Sequence, residues 1–339
     1  MAAGYPAPEA DKRHAAAPPG STISLTAIGL GKVATVAKET SRAYRLEAGE
    51  QPSSGMRRIA LARAELALER LDEAERADDP APCIHGVRKD LKKLRAAVRL
   101  LRRELGDDLY RAENERYRDA GRRLAPTRDA EVKLETLDSL RERFPERVTP
   151  AASREWREAL VLERDRAVAE ARAGDSIAAA RLVLELGRDR IAGWPLEADS
   201  WKLVGPGLSR SYRRGRKGMR RAAREPGDES LHEWRKRAKD LWYHLRILRE
   251  CVPSRLHGAT DRADELADRL GEHHDLAVLR EDLFGRELPT AMRPALVEAI
   301  VERQEELAGE AFELGEALYA EKPKAFRRTM HGGWRKWRS

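Results

Sequence analysis

The sequence predicts an all-α protein built of antiparallel helical bundles. Three observations carry that expectation. From about Arg57 onward, long stretches rich in Ala, Leu, Glu and Arg keep a helical period, separated by short Pro, Gly and Asp breaks. β-branched runs bounded by turn signals, the mark of strands, are almost absent. The chain also repeats part of itself in order, which calls for two copies of one helical unit.

Length and charge bound the answer. A chain of 339 residues accommodates two domains, or one large domain of two similar halves. An apolar share of 41% is enough to bury a core even though 37% of residues are charged. Lys+Arg number 66 against 58 Asp+Glu, a formal charge of +8. That balance points to a polyanion only if the positive charges are segregated onto one face. Cys83 and Cys251 cannot build a disulfide framework or a cysteine zinc cluster. No run of about 18 apolar residues could span a membrane. The N-terminus has no apolar signal-peptide core, so a soluble cytoplasmic protein is expected.

In chain order, residues 1–44 are rich in Ala, Pro, Gly and Ser without a period, and are expected to be a disordered tail. A first half, 45–198, should hold helices near 56–77, 84–105, 108–124, 128–143, 151–173 and 176–192. A second half, 199–325, should hold helices near 201–224, 229–251, 255–270, 273–287 and 291–320. Residues 326–339 mix Phe326, Trp334 and Trp337 with Arg and Lys, and are expected to be a basic aromatic tail.

The repeat is the most informative feature. His85-Gly-Val-Arg88-Lys89-Asp-Leu-Lys92 recurs as His232-Glu-Trp-Arg235-Lys236-Arg-Ala-Lys239, with Arg99 and Arg246 at the same offset. Arg123-Leu124 followed by Arg128-Asp129 recurs as Arg269-Leu270 followed by His274-Asp275. At about 100° per residue, Arg88, Lys89, Lys92, Arg99 and Arg103 fall within roughly 60° of His85. Val87, Leu91, Leu94, Val98 and Leu101 fall near the opposite pole. In the second copy His232, Arg235, Lys236, Lys239, Tyr243 and Arg246 line one face, and Trp234, Ala238, Leu241, Leu245 and Leu248 the other. Most charged faces are merely solvated, but those mix signs because opposite charges at i,i+4 stabilise a helix. Crowding cations costs a few tenths of a kcal/mol per like pair, a cost an external anion would offset.

A third stripe precedes the second copy: Arg213, Lys217, Arg220 and Arg224 at helical spacing, with Arg216 beside them. Gly215 and Gly218 there allow a neighbouring backbone or a ligand to come close. For the histidines, anion contact ranks above a structural role, and metal ligation ranks last, because His85 and His232 lack a partner ligand at i,i+4. Asp129 and Asp275 read as first-turn acids that complement a helix dipole.

Taken together, the doubled H-x-x-R-K-x-x-K string, the Arg128-Asp129 turn, Tyr44–Glu50 and Leu208–Arg216 resemble the CHAD domain, the conserved-histidine α-helical domain. The resemblance covers roughly residues 44 to 325. It implies two pseudo-symmetric, four-helix-bundle-like halves with a basic groove or channel between them that binds inorganic polyphosphate. It also implies a stand-alone member, since no CYTH-like barrel fits the sequence.

The expected function is non-catalytic binding of inorganic polyphosphate. Its expected contacts are His85, Arg88, Lys89, Lys92, Arg99 and Arg128 in the first half. In the second half they are Arg213, Arg216, Lys217, Arg220, His232, Arg235, Lys236, Lys239 and Arg246. No metal or cofactor is called for, and polyphosphate granules are a further association. An enzyme is disfavoured because the basic stripes hold almost none of the acids that metal-assisted phosphoryl transfer uses. The alternative is a nucleic-acid binder that grips the phosphate backbone. It ranks lower because no helix-turn-helix, zinc-finger spacing or base-stacking aromatic pair is present, although the C-terminal basic aromatic segment keeps it open.

Overall fold

Prolines and polar caps set most helix starts. In the computed structural model, which describes residues 42–256, 258–286 and 293–339, Pro opens α1 (Pro52–Arg76), α2 (Ala81–Leu100), α4 (Ala125–Arg143) and α5 (Pro150–Ala173) within the first two positions, where its missing N–H costs nothing. The Thr149 hydroxyl accepts from the Ala152 N–H (3.1 Å) to cap α5. Between them lies α3 (Arg102–Arg123), and α6 (Ser176–Ala192) follows. The Ser200 hydroxyl caps α7 (Trp201–Arg224), and α8 (Asp228–Ile247) comes next. Two 3₁₀ turns, Arg249–Cys251 and Ser254–Leu256, lead to α9 (Ala259–Gly285), α10 (Arg293–Leu318) and α11 (Pro323–Arg338). The fold is all-α, with no strand among the described residues.

Several boundaries differ from expectation. The helices expected at 255–270 and 273–287 are one continuous α9, because Gly271 is buried in the packing and one Gly costs only about 1 kcal/mol. The matching point of the first half carries Pro126, and there α3 and α4 do separate. The residues expected as a tail from 326 onward form α11, whose Phe326, Met330 and Trp334 recur every four positions and are buried. Residues 1–41 of the expected N-terminal tail lie outside the described residues, whereas Tyr44 is already buried in the core.

Helices α1, α2, α3 and α6 neighbour one another in a ring, and α7, α8, α9 and α10 form a second ring. One large core runs through both, from Ile59, Leu71 and Ile84 to Leu208, Trp234 and Leu266. Residues Ser41–Ser339 accordingly form one compact unit. The hairpin α4–α5 packs elsewhere. Its Leu137, Trp156 and Leu160 share a second core with Leu279 and Leu283 of α9 and Ile300 and Leu307 of α10. Each such fully buried side chain contributes about 1.5–3 kcal/mol of transfer free energy.

Helix α2 of the first ring lies against α7 and α8 of the second. A Cβ on Gly207 would stand 2.0 Å from the Leu100 carbonyl oxygen, so α7 crosses α2 where only glycine fits. His244, buried on α8, joins all three helices: Nε2 lies 2.9 Å from the Ala96 oxygen and Nδ1 3.0 Å from the Ser211 hydroxyl.

Candidate anion-binding cleft

Because the apolar poles of α2 and α8 are spent on the core, their charged poles face outward side by side. Val87, Leu91, Leu94 and Val98 are buried on α2, and Trp234, Ala238, Leu241 and Leu245 on α8. The cations that remain meet across the seam. Lys239 and Arg235 of α8 act electrostatically on Lys92 of α2, together with Arg88. Beside them opens a cleft of about 390 Å³ between α4, α8, α9 and α10, bordered by Arg128, Arg143, Arg235, Lys239 and Arg303.

These groups are poorly compensated. Lys92, Arg235 and Lys239 form no ion pair among the described residues, and the Arg235 Nε is buried without a partner. Desolvation, then Lys239, Arg88 and Arg235, push the Lys92 ammonium down to about 7, with Asp275 opposing. The Lys92 side chain itself remains exposed to water. Lys239 is pushed down to about 8 by desolvation and then Arg235.

The histidines sit at the two ends of this cluster. His85 on α2 is depressed to about 4 by burial, then by Arg128 of α4 and its own neighbours Lys89 and Lys92. His232 on α8 packs its ring on His274 of α9, with centroids 3.9 Å apart. His274 is depressed to about 3 by burial and then by His232 and Arg235, and the His232 Nδ1 is buried without a partner. Thus Arg128 beside His85 and His274 beside His232 occupy matching places, as the repeat aligned them.

Several expected cations are already engaged. Arg88 donates to Asp129 (3.3 Å) and to the Gly121 oxygen (3.4 Å). Arg128 pairs with Glu131 (2.7 Å) and Glu135 (2.9 Å), and Lys236 with Glu233 (2.5 Å). Arg99 turns along the seam to Asp240 at 2.8 Å. Arg246 lies over the rings of Tyr44 (5.6 Å) and Trp242 (5.0 Å). Lys89 is exposed beside His85.

The third stripe is not in this cleft. Arg213, Arg216, Lys217 and Arg220 line a separate shallow depression of about 580 Å³ with Arg224 and Pro323. Gly215 and Gly218 admit no ligand there. A Cβ on Gly215 would stand 2.2 Å from the Tyr319 hydroxyl, and one on Gly218 3.2 Å from the Trp234 ring. These glycines serve the packing of aromatic side chains.

Sequence reasoning also missed residues. Asp275 lies well inside α9, so it has no helix-dipole role. It stands among Arg235, Lys239, Arg128 and Lys92, and its carboxyl is raised by desolvation despite them. Glu135, Asp268 and Glu272 border the cleft as well, so its wall carries more acid than the stripes alone suggested. A further cationic cluster surrounds the fully buried Asp90, which meets Arg63 (3.3 Å), Arg70 and Lys93 (3.6 Å). The Tyr44 hydroxyl donates to the Lys93 oxygen (2.9 Å) and holds the segment before α1 against that cluster. The available signal was Asp90 itself, the one acid of α2, which falls outside its basic stripe.

Such a site is electrostatically incomplete: an anion in it would favour the charged forms of its depressed lysines and histidines. Comparison with known proteins agrees with the arrangement of helices. The chain resembles the crystal structure of the CHAD domain from the plant Ricinus communis, with a TM-score of 0.53 at 20% identity over 85% of this chain and 94% of that one. It also resembles PptA from Streptomyces chartreusis, with a TM-score of 0.54 at 15% identity over 80% of this chain and all of the other. No curated protein matches the sequence. The CHAD domain family model matches residues 59–283, and the chain belongs to the CHAD domain family.

Proposed function

We propose that the protein binds inorganic polyphosphate along the seam of α2 and α8 and in the adjoining cleft between α4, α8, α9 and α10, without catalysing a reaction on it. The family is linked to polyphosphate binding. The observation that carries the reading for this chain is the meeting of Lys92, Arg235 and Lys239 with no carboxylate paired to them among the described residues. Arginine forks chelate phosphate oxygens in two-point fashion, and lysines supply movable point charges. Arg128, Arg143 and Arg303 also border the cleft, but each is already paired with glutamate, and Asp275 offsets part of the mutual repulsion within the cluster. In the cell the polymer, free or in granules, is the partner this reading names, met in the cytoplasm.

The test is a binding isotherm with polyphosphate of defined length. Arg235→Glu with Lys239→Glu is expected to weaken binding at least tenfold, since charge-assisted hydrogen bonds contribute about 1.5–3 kcal/mol each. Unchanged affinity in that variant defeats the cleft assignment. Phosphate release that scales with wild-type protein and vanishes in Asp275→Asn defeats the non-catalytic reading.

A further inference from the structure

The basic residues outside the cleft form a surface of their own. Helices α7 and α11 contain no Asp or Glu, whereas every other α-helix among the described residues has at least one. These two acid-free helices pack on each other. They run antiparallel: Trp201 stacks on His331 (5.5 Å), Tyr212 on Phe326 (3.8 Å), and the Arg216 Nε donates to the Tyr319 oxygen (3.1 Å). Pro323, at the start of α11, borders the depression lined by Arg213, Lys217 and Arg224 of α7. The exposed C-terminal half of α7 therefore continues into the exposed side of α11. At 1.5 Å per residue the two stretches give a cationic row of about 40 Å. Arg220, Arg224, Lys324, Arg327, Arg328 and Arg335 are all exposed along it. Helix α11 also lies beyond residues 59–283, the part that matches the family model.

From this row we propose a second interaction surface, distinct from the cleft, whose partner is double-helical nucleic acid held by its phosphate backbone. Charge complementarity and geometry choose that partner. The depression on α7 has no acid in its wall, unlike the cleft, which carries four. A flexible polyphosphate chain is gripped best by cations from several sides, because one-sided contact leaves its ordering cost unrepaid. A duplex is stiff over about 50 nm and loses little freedom on a one-sided row. The row also matches about one helical turn of roughly 34 Å. Single strands are less suited: Trp201, Trp334 and Trp337 are occupied with one another and with His331 rather than free for bases. A bilayer is less suited too, because Phe326, Met330 and Trp334 are buried against the protein and leave no apolar side to insert.

The experiment uses the full chain and a labelled mixed-sequence DNA duplex slightly over two turns long, followed by fluorescence anisotropy across a salt series. The ridge variant is Arg224→Glu, Arg327→Glu, Arg328→Glu. It is expected to bind duplex at least tenfold more weakly, with the slope of log affinity against log salt reduced by about 0.9 for each phosphate it no longer neutralises. A parallel glutamine triple variant, with unchanged helicity and melting, separates the missing charges from misfolding. The cleft variant Arg235→Glu, Lys239→Glu is expected to keep duplex affinity within twofold, and short polyphosphate is expected not to displace the duplex. Equal weakening when three exposed arginines elsewhere (Arg122, Arg154 and Arg188) are reversed overturns the proposal. So does unaltered duplex binding by the ridge variant, weakened duplex binding in the cleft variant, or capture by phosphatidylserine vesicles with no duplex binding. Absence of polyphosphate binding in wild type would refute the cleft function and leave the duplex result to stand or fall separately.

Discussion

Lys92 and Lys239 carry the clearest residue-scale consequence of crowding cations. Their ammonium groups titrate near 7 and near 8 in the folded chain, against an ordinary value of 10.5. Desolvation is the first cause in both, and like charge the second. The unfolded chain then binds more protons than the folded one between pH 7 and 10.5, so stability rises with pH through that window. The cysteines and the tyrosines that shift are raised by burial and oppose the trend increasingly toward pH 9 and 10, so the rise belongs to the lower part of that window. The melting temperature of the free protein is expected to be higher at pH 9 than at pH 7, and this rise should shrink in Lys92→Met, Lys239→Met. A flat or falling profile contradicts the crowding. Polyphosphate bound as proposed is expected to reverse the balance by stabilising the charged forms. Calorimetric titrations at pH 8, in buffers of different ionisation enthalpy, are expected to reveal net proton uptake on binding. Proton release would show that the ligand does not reach these lysines.

Helix contacts locate what the sequence could and could not disclose. Amphipathic poles of α2 and α8 were legible because each pole obeys one period, and the apolar residues the period picks out are buried, although Asp90, Tyr243 and His244 are buried with them. The matching of Arg128 with His274 was legible for the same reason: a repeat fixes offsets. The burial of α11 was written in Phe326, Met330 and Trp334, yet flanking cations made the stretch resemble a solvated tail. What no period records is which helices touch. Placing α7's stripe apart from α2 and α8 depends on α11 and Tyr319 packing beside it. The acids Asp268 and Glu272 enter the cleft only because α4 folds across onto α9. Two substitutions probe these contacts. Gly207→Ala puts a methyl against the Leu100 carbonyl and is expected to cost about 1–3 kcal/mol, read from denaturant unfolding. Phe326→Ala removes a ring stacked on Tyr212 and is expected to cost about 3 kcal/mol, with α11 amides exchanging faster than those of α8. Equal protection of both helices in that variant argues against docking through Phe326.

At the scale of the whole molecule, the question is whether the two copies of the repeat act as one site. Helices α2 and α8 are in direct contact, and Lys92 responds to Lys239 and Arg235 across that contact. A long polymer laid along the cleft would therefore touch both copies at once. The second contact is then intramolecular and gains from effective concentration rather than from new chemistry. Reversing Arg88 and Lys92 in the first copy is expected to lower affinity for long polyphosphate by much more than half, and reversing Arg235 and Lys239 in the second to do the same. Helicity should be preserved in both, since none of the four side chains belongs to the apolar core. Combining all four reversals should cost less than the sum of the two separate effects, because the shared binding mode is already gone after either one. Two independent half-sites make opposite demands: near-normal affinity for short polymers in either double variant, and additive effects in the quadruple variant. Chain length discriminates further. Only a shared site gives an affinity that climbs with length until the polymer spans both copies and then levels off, and that plateau should disappear in each double variant.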